Sequence, residues 1–127
     1  MPRRSWSKSP RALATCRASW PNPVAALWPK RAWVYLDMGR FSGLAETEGE
    51  AIRYQFETPR DGDPTGPCIM AGPSCDSADV LYEKRPMLLP ISLRAGDRVL
   101  IRNTGAYTST YSSVCFNGFP PLAVVVI

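Results

Sequence analysis

Short apolar runs separated by turn-forming residues set the strongest limit on how residues 31–127 can fold. Ile52–Glu57 alternates apolar and polar residues with the period of two that is typical of a strand, and no run sustains a helical period. The predicted strands are 32–37, 52–57, 68–71, 80–83, 98–102 and 122–127. Ser109–Ser113 fits either a short helix or a loop. Short strands with Gly, Pro and Asp between them predict a small all-β barrel or sandwich.

Residues 1–30 differ in character from the rest of the chain. They contain six Lys or Arg residues, no acid, five prolines and three of the four tryptophans. Without a sustained period of 2 or 3.6, this leader is predicted to be disordered, and one domain is predicted over residues 31–127. That domain has nine basic and eleven acidic residues, so the net charge of +4 comes from the leader. A mildly acidic domain suits cationic diamines better than nucleic acid.

Several classes of site are excluded by composition. The chain has no histidine, which excludes His-dependent catalytic triads and the common His-containing zinc sites. Its four cysteines show no C-x-x-C spacing, so we expect no metal site, and reduced thiols in the cytoplasm are the simplest interpretation. No apolar run reaches the length of a signal peptide or a membrane span, so neither secretion nor a membrane location is expected.

The stretch Ala71–Asp79 is the most informative candidate site. Gly72-Pro73 forces a sharp turn after an apolar run, which would place Cys75 and Asp76 side by side at a strand end. The alternative is a half-buried cysteine beside an aspartate that caps a turn. Asp37 likewise ends the predicted strand 32–37, where it would either line a pocket or cap a turn.

Five separated motifs carry a family resemblance. They are Trp33–Thr47, Gly72–Glu83, Gly96-Asp97, Thr104–Thr108 and Phe116–Phe119. In this order and spacing the segment from Arg31 to Ile127 resembles the C-terminal β-domain of the pyridoxal-phosphate-dependent ornithine/lysine decarboxylases. These enzymes belong to the alanine-racemase-like fold group, which also contains diaminopimelate and arginine decarboxylases. The resemblance implies a cytoplasmic homodimer that converts ornithine or lysine to a diamine for polyamine biosynthesis.

The resemblance also implies roles for individual residues. Cys75 matches the cysteine that returns a proton to the α-carbon after carbon dioxide leaves, and a thiol is mostly protonated at neutral pH. Asp76 and Asp37 match two carboxylates that receive the distal ammonium of the substrate. Tyr107 matches the tyrosine that hydrogen-bonds the phosphate of pyridoxal 5'-phosphate; the alternative is a buried barrel aromatic.

Smaller features refine this interpretation. Two positions favour ornithine or lysine over diaminopimelate as the substrate. Asp76 follows Cys75 where a Glu would be the alternative, and Phe116 stands where the diaminopimelate enzymes tend to have Tyr. Phe116 matches a position at the subunit boundary, and structural roles are expected for Asp79 and Asn117.

The sequence departs from the family in other places. We find no counterpart of the cofactor-anchoring lysine, since Lys8, Lys30 and Lys84 lie in no such context, nor of the Gly-rich phosphate loop. The family's (β/α)₈ barrel needs about 250 residues. Arg17–Pro23 stands where relatives carry Glu-Pro-Gly-Arg, so the leader is expected to be unrelated sequence joined to a family fragment. Such a chain would be inactive alone and would need a barrel, as in relatives where the site lies between two subunits.

Two other functions stay open at this point. The chain is either a non-catalytic regulatory partner of a full-length decarboxylase, or a small β-barrel binding module whose basic leader touches nucleic acid.

Overall fold

The computed structural model describes residues 11–19 and 32–125, which form mainly short strands and turns. The strands are β1 (Arg11–Ser19), β2 (Ala32–Leu36), β3 (Gln55–Glu57), β4 (Thr65–Ala71), β5 (Val80–Leu81), β6 (Met87–Pro90) and β7 (Arg98–Arg102). Three 3-10 helices span Arg40–Ser42, Ala45–Glu50 and Phe116–Gly118. The prediction of an all-β fold is confirmed at this level. Within the two described ranges, no helix has the length and apolar character needed to cross a membrane.

The strands pair in the order β3-β7-β1-β2-β4-β5, and β6 also pairs with β4. The strand β1 joins two parts of this arrangement, because Arg11–Thr15 pairs with β7 and Cys16–Ser19 pairs with β2. All pairs are antiparallel except β2 with β4, which run parallel. The pairings of the described strands form an open series, with β3 at one end and β5 and β6 at the other.

The strand β1 corrects one prediction. Residues 1–30 were expected to form no regular element, and this is wrong for Arg11–Ser19, which is a strand paired with both β7 and β2. The prolines that argued against regular structure flank this stretch at Pro10 and Pro21 and leave its backbone donors intact. The sheet therefore includes nine residues that the predicted boundary at residue 31 leaves out. The rest of the leader, 1–10 and 20–30, lies outside the described residues.

Alternating side chains of β2, β4 and β7 build the core. In β2 the residues Ala32, Val34 and Leu36 are buried, as the period of two requires for a strand with one inward face. The other buried apolar residues of the cluster are Met38, Leu44, Tyr54, Cys68, Met70, Leu81, Tyr82, Leu89, Leu93, Val99 and Ile101. Burial raises the pKa of the Cys68 thiol to about 12, which keeps this cysteine in its neutral form.

The C-terminal prediction is also wrong. A closing strand was expected over 122–127, but residues 122–125 are irregular, and 126–127 lie outside the described residues. Val124 and Val125 are 64% and 81% exposed, so their β-branched side chains have no buried face to occupy in this structure. The ambiguous segment Ser109–Ser113 is a loop. The predicted strand 98–102 agrees in both bounds, whereas 52–57 and 80–83 are shortened to β3 and β5.

Candidate functional site

The loop between β4 and β5 is closed on itself by backbone hydrogen bonds. The N–H of Gly72 donates to the carbonyl of Asp79 at 2.9 Å, and the N–H of Asp79 donates to the carbonyl of Asp76 at 3.0 Å. Cys75 sits at the outer part of this loop with φ of 60°, in the left-handed region, and its side chain is exposed. The loop therefore presents a thiol to the surface, which rules out the alternative of a half-buried cysteine.

The carboxylate of Asp76 is oriented by the same loop. Its Oδ1 accepts the N–H of Ala78 at 2.8 Å, and its own N–H faces Ser74 Oγ at 3.4 Å. The first contact is a side-chain turn of the kind that Asp makes two residues ahead, so a turn-capping role is present as the sequence allowed. Asp76 is nevertheless partly exposed, and one oxygen bonded to Ala78 leaves the other available to a ligand.

Parallel pairing brings Asp37 to the same edge as this loop. The strands β2 and β4 run in the same direction with Tyr35 opposite Ala71, so both leave the sheet on one side. Asp37 lies two residues beyond Tyr35 and is exposed, while the Cys75 loop begins directly after Ala71. Strands that are parallel place the segments after them together, which is the arrangement that the two predicted carboxylates need.

A third segment docks onto this loop from the C-terminal part of the chain. Asn117 Nδ2 donates to the carbonyl of Ser74 at 2.9 Å, and the ring of Phe116 stacks on Phe41 at 4.1 Å between centroids. The N–H of Ser113 donates to the carbonyl of Phe41 at 2.8 Å. The expected structural role of Asn117 thus has a specific contact, which sequence reasoning had no local signal to identify.

Tyr107 lies in the segment that follows β7. It is 53% exposed, has φ of 54°, and its ring lies 4.9 Å from that of Tyr111. The alternative of a buried barrel aromatic is therefore wrong. Its placement beside Cys75 stays a prediction.

The described surface offers little enclosure around the candidate residues. A cleft of about 140 Å³ lies on another side of the loop and is lined by Arg40, Ser77, Ala78 and Lys84 among others. A smaller cavity of about 10 Å³ lies under the loop, between Phe41, Phe116 and Ser74. Cys75 and Asp76 line neither of them, so a ligand at these groups would need a second surface to exclude water.

Together these features define a sheet domain that presents an exposed thiol and two carboxylates at the end of a parallel strand pair. Residues 14–105 match the family model described as pyridoxal-dependent decarboxylase, C-terminal sheet domain, and the chain belongs to this family. The match begins inside β1, in agreement with the place of that strand in the sheet. Pyridoxal phosphate is the cofactor of the family.

Relatives of known activity are consistent with this assignment. The chain is 36% identical over 90 residues to a lysine/ornithine decarboxylase of Selenomonas ruminantium, covering 71% of this chain and 22% of that protein. It is 33% identical over 103 residues to a diaminopimelate decarboxylase of Actinosynnema pretiosum, covering 76% and 22%. The structure of a lysine/ornithine decarboxylase from Vibrio vulnificus, complexed with cadaverine, superposes with a TM-score of 0.70 at 31% identity. That superposition covers 88% of this chain and 28% of the other, so the chain spans about a quarter of the length of these relatives.

Proposed function

We propose that this domain supplies the proton donor and the amine-binding carboxylates of a decarboxylase that converts ornithine or lysine to a diamine. The observation that carries the proposal is the parallel pair β2–β4, which directs Asp37 and the loop of Cys75 and Asp76 to one edge of the sheet. Membership of the pyridoxal-dependent family supports the reaction class. Relatives named lysine/ornithine decarboxylase support the proposed substrate class, and a diaminopimelate decarboxylase is similar at 33% identity, so that substrate has to be tested as well.

Cys75 acts as the general acid in this proposal. When bound, the cofactor supplies the electron sink that lets the carboxylate leave as carbon dioxide. Cys75 Sγ then gives its proton to the α-carbon, and the resulting thiolate regains a proton from solvent after the product has left and the site is open again. Proton transfer of this kind is worth about 10²–10⁴ in rate, and we expect a loss of that size when Cys75 is replaced by a residue that cannot donate as readily.

Asp76 and Asp37 bind the distal ammonium of the substrate in this proposal. An ammonium between two carboxylates makes charge-assisted hydrogen bonds, which are stronger than those between neutral groups. The bond from the Ala78 N–H holds the Asp76 carboxylate in one orientation, so less freedom is lost when the amine binds. A site of two acids favours a substrate whose far end carries only a positive charge, and this separates ornithine or lysine from diaminopimelate.

The cofactor fits this chain in part. The Tyr107 side chain is 53% exposed, as a residue that reaches a bound phosphate requires. We propose that the lysine that anchors the cofactor belongs to the barrel domain of a decarboxylase subunit. The same barrel domain has a surface that covers the open site of Cys75 and Asp76. This agrees with the lack of enclosure around those two groups in the described part of the chain.

A complementation experiment tests this function. The chain is co-expressed with a full-length lysine/ornithine decarboxylase whose own proton-donor cysteine has been replaced by alanine, and diamine formation is measured with ornithine, lysine and diaminopimelate. We expect activity to be restored by the unmodified chain and by Cys115→Ser, a matched change at another exposed cysteine, but not by Cys75→Ser.

Three outcomes would contradict the proposal. Equal restoration by the Cys75→Ser chain would remove the general acid from the scheme. Binding that only lowers the activity of an intact decarboxylase would favour the regulatory partner instead. A lysine-bound cofactor absorbance on the isolated chain would show that the anchor is not supplied by a second subunit.

A further inference from the structure

Asp79 is a buried carboxylate that the proposed chemistry does not use. It is 2% exposed and accepts three hydrogen bonds: from Ser74 N–H at 3.1 Å, from Ser74 Oγ at 2.6 Å, and from Arg40 N–H at 2.8 Å. Hydrogen bonds to an ionised acceptor are the strong ones, and burial removes the competition of water. A carboxylate with this many fixed donors holds those donors in place.

The three donors belong to two different segments of the candidate site. Ser74 directly precedes Cys75 and Asp76, whereas Arg40 follows Asp37 in the loop after β2. The Arg40 guanidinium also donates to the carbonyl of Ala78, which adds a second connection between the same two segments. Asp79, at the end of the loop that carries the thiol, thus connects this loop to the loop that carries the second acid.

Two glycines leave just enough room for this carboxylate. A Cβ added to Gly39 would lie 2.2 Å from Asp79 Oδ1, and one added to Gly72 would lie 2.3 Å from the same atom. The Gly39 position would also bring a Cβ within 2.6 Å of Gly72 Cα, which is backbone and has little freedom to move. The two loops therefore approach each other across Asp79 at a distance that only glycine permits.

We propose that Asp79 is the positioning residue that fixes Cys75 and Asp76 relative to Asp37, an inference that rests on the function proposed above. Its carboxylate acts through the backbone and hydroxyl of Ser74 and the backbone of Arg40, and makes no contact with the substrate. The separation between the two amine-binding acids, and the place of the thiol beside them, follow from this one buried group.

Alkylation of the cysteines in the full chain tests this role. Iodoacetamide is added under native conditions, and peptide mapping gives separate rate constants for three thiols. Cys75 reports the loop, exposed Cys115 reports general accessibility, and Cys68, which is 1% exposed, reports unfolding. In the native loop Cys75 Sγ lies 3.8 Å from the Pro73 carbonyl, a contact that holds the sulfur in the conformation of the closed loop.

The variants are chosen to act from both loops. We expect Asp79→Asn and Gly39→Ala each to raise the rate constant of Cys75 about tenfold, the size expected when a hydrogen bond to a charged acceptor is lost. Cys115 should react as before, and Cys68 should stay protected. Ser77→Ala, at an exposed position of the same loop, is the control.

Gly39→Ala is the decisive variant, since it lies in the loop that does not contain Cys75. An unchanged Cys75 rate constant in both variants, with Cys68 protected, would overturn the positioning role. If Asp79→Asn and Gly39→Ala expose Cys68 by unfolding, Ser74→Ala decides. It removes the 2.6 Å hydroxyl bond to Asp79 together with the longer 3.4 Å contact to the Asp76 N–H, and it is compared with Ser77→Ala. A faster Cys75 in Ser74→Ala supports the role, and an unchanged one overturns it.

The alkylation readout does not depend on decarboxylase activity. A chain that fails to complement but shows the predicted Cys75 rates contradicts the proposed function alone. A chain that complements but shows unchanged rates contradicts the positioning role alone.

Discussion

Replacing Tyr82 with phenylalanine should destabilise the domain by an amount that the structure allows to be worked out. Tyr82 is 1% exposed; its hydroxyl accepts the N–H of buried Tyr54 at 2.9 Å and donates to the carbonyl of Ile52 at 3.0 Å. Phenylalanine keeps the edge contact with Phe56 and the Arg53 guanidinium over the ring at 4.8 Å. The change therefore isolates the two hydrogen bonds from the packing of the ring.

The two bonds do not contribute equally. The Tyr54 N–H is left buried without its acceptor, which costs about 1–3 kcal/mol, whereas the Ile52 carbonyl belongs to an exposed residue and gains water instead. We expect the free energy of unfolding to fall by about 1–3 kcal/mol, with a decrease in Tm of about 4–8 °C for each kcal/mol in a domain of this size.

Urea unfolding followed by tryptophan fluorescence measures this change, with circular dichroism as a second probe of two-state behaviour. Tyr35→Phe is the control, since Tyr35 is 46% exposed and a surface change of this kind is usually within about 0.5 kcal/mol of wild type. A Tyr82→Phe variant that unfolds within that same margin would refute the assignment of the buried N–H to this hydroxyl.

Three further predictions concern other parts of the sheet. Leu13→Pro or Ala14→Pro should abolish cooperative unfolding. Successive backbone N–H groups of β1 point to opposite sides of the strand, so one of these two residues donates toward β7, and proline removes that donor. Burial raises the pKa of Cys68 from 9.0 to about 12, so the unfolded chain loses this proton at a lower pH than the folded one. The free energy of unfolding should therefore fall between pH 9 and 12, by up to about 1.4 kcal/mol per pH unit. In Cys68→Ala the fall should be less steep. The hydrogen bond from Arg60 lowers the pKa of the Asp97 carboxyl below 3.8. This ion pair therefore stabilises the fold above that pH, and the stabilisation is lost as the pH falls through the lowered pKa. In Asp97→Asn the urea midpoint should depend less steeply on pH in this acid range.

The first and third predictions have a matched control, and Cys68→Ala is itself the comparison for the second. Ala14→Val keeps the backbone N–H and should still unfold cooperatively. Glu48→Gln removes a carboxylate from an exposed position, and in this variant the urea midpoint should depend on acidic pH as it does in the wild type. The first prediction is contradicted if both proline variants unfold cooperatively. The second is contradicted if stability falls as steeply at alkaline pH in Cys68→Ala as in the wild type, and the third if the acid dependence is unchanged in Asp97→Asn.

The sequence by itself determined the features that depend on neighbouring residues. The strand β4 ends at Ala71, as expected before Gly72-Pro73, because Pro73 fixes its own φ and has no backbone N–H to continue the pairing. The strand Arg98–Arg102 follows from its local alternation, with Val99 and Ile101 buried as the period of two requires. The five motifs were sufficient to indicate the family, since residue types at fixed spacing are a property of the chain alone.

Only the tertiary structure decided the features that join distant segments. Arg11–Ser19 is a strand because β7 and β2 pair with it, although its own sequence has no clear period. Asp79 reads locally as one more loop acid, and its burial between Ser74 and Arg40 depends on the parallel pairing of β2 with β4. Conversely, the run 122–127 ends in four β-branched residues with a strong local preference for a strand, but its described part, 122–125, pairs with no strand among the described residues. Hydrogen bonds between strands connect residues far apart in the chain, so a local pattern proposes a strand and the partner determines whether it forms.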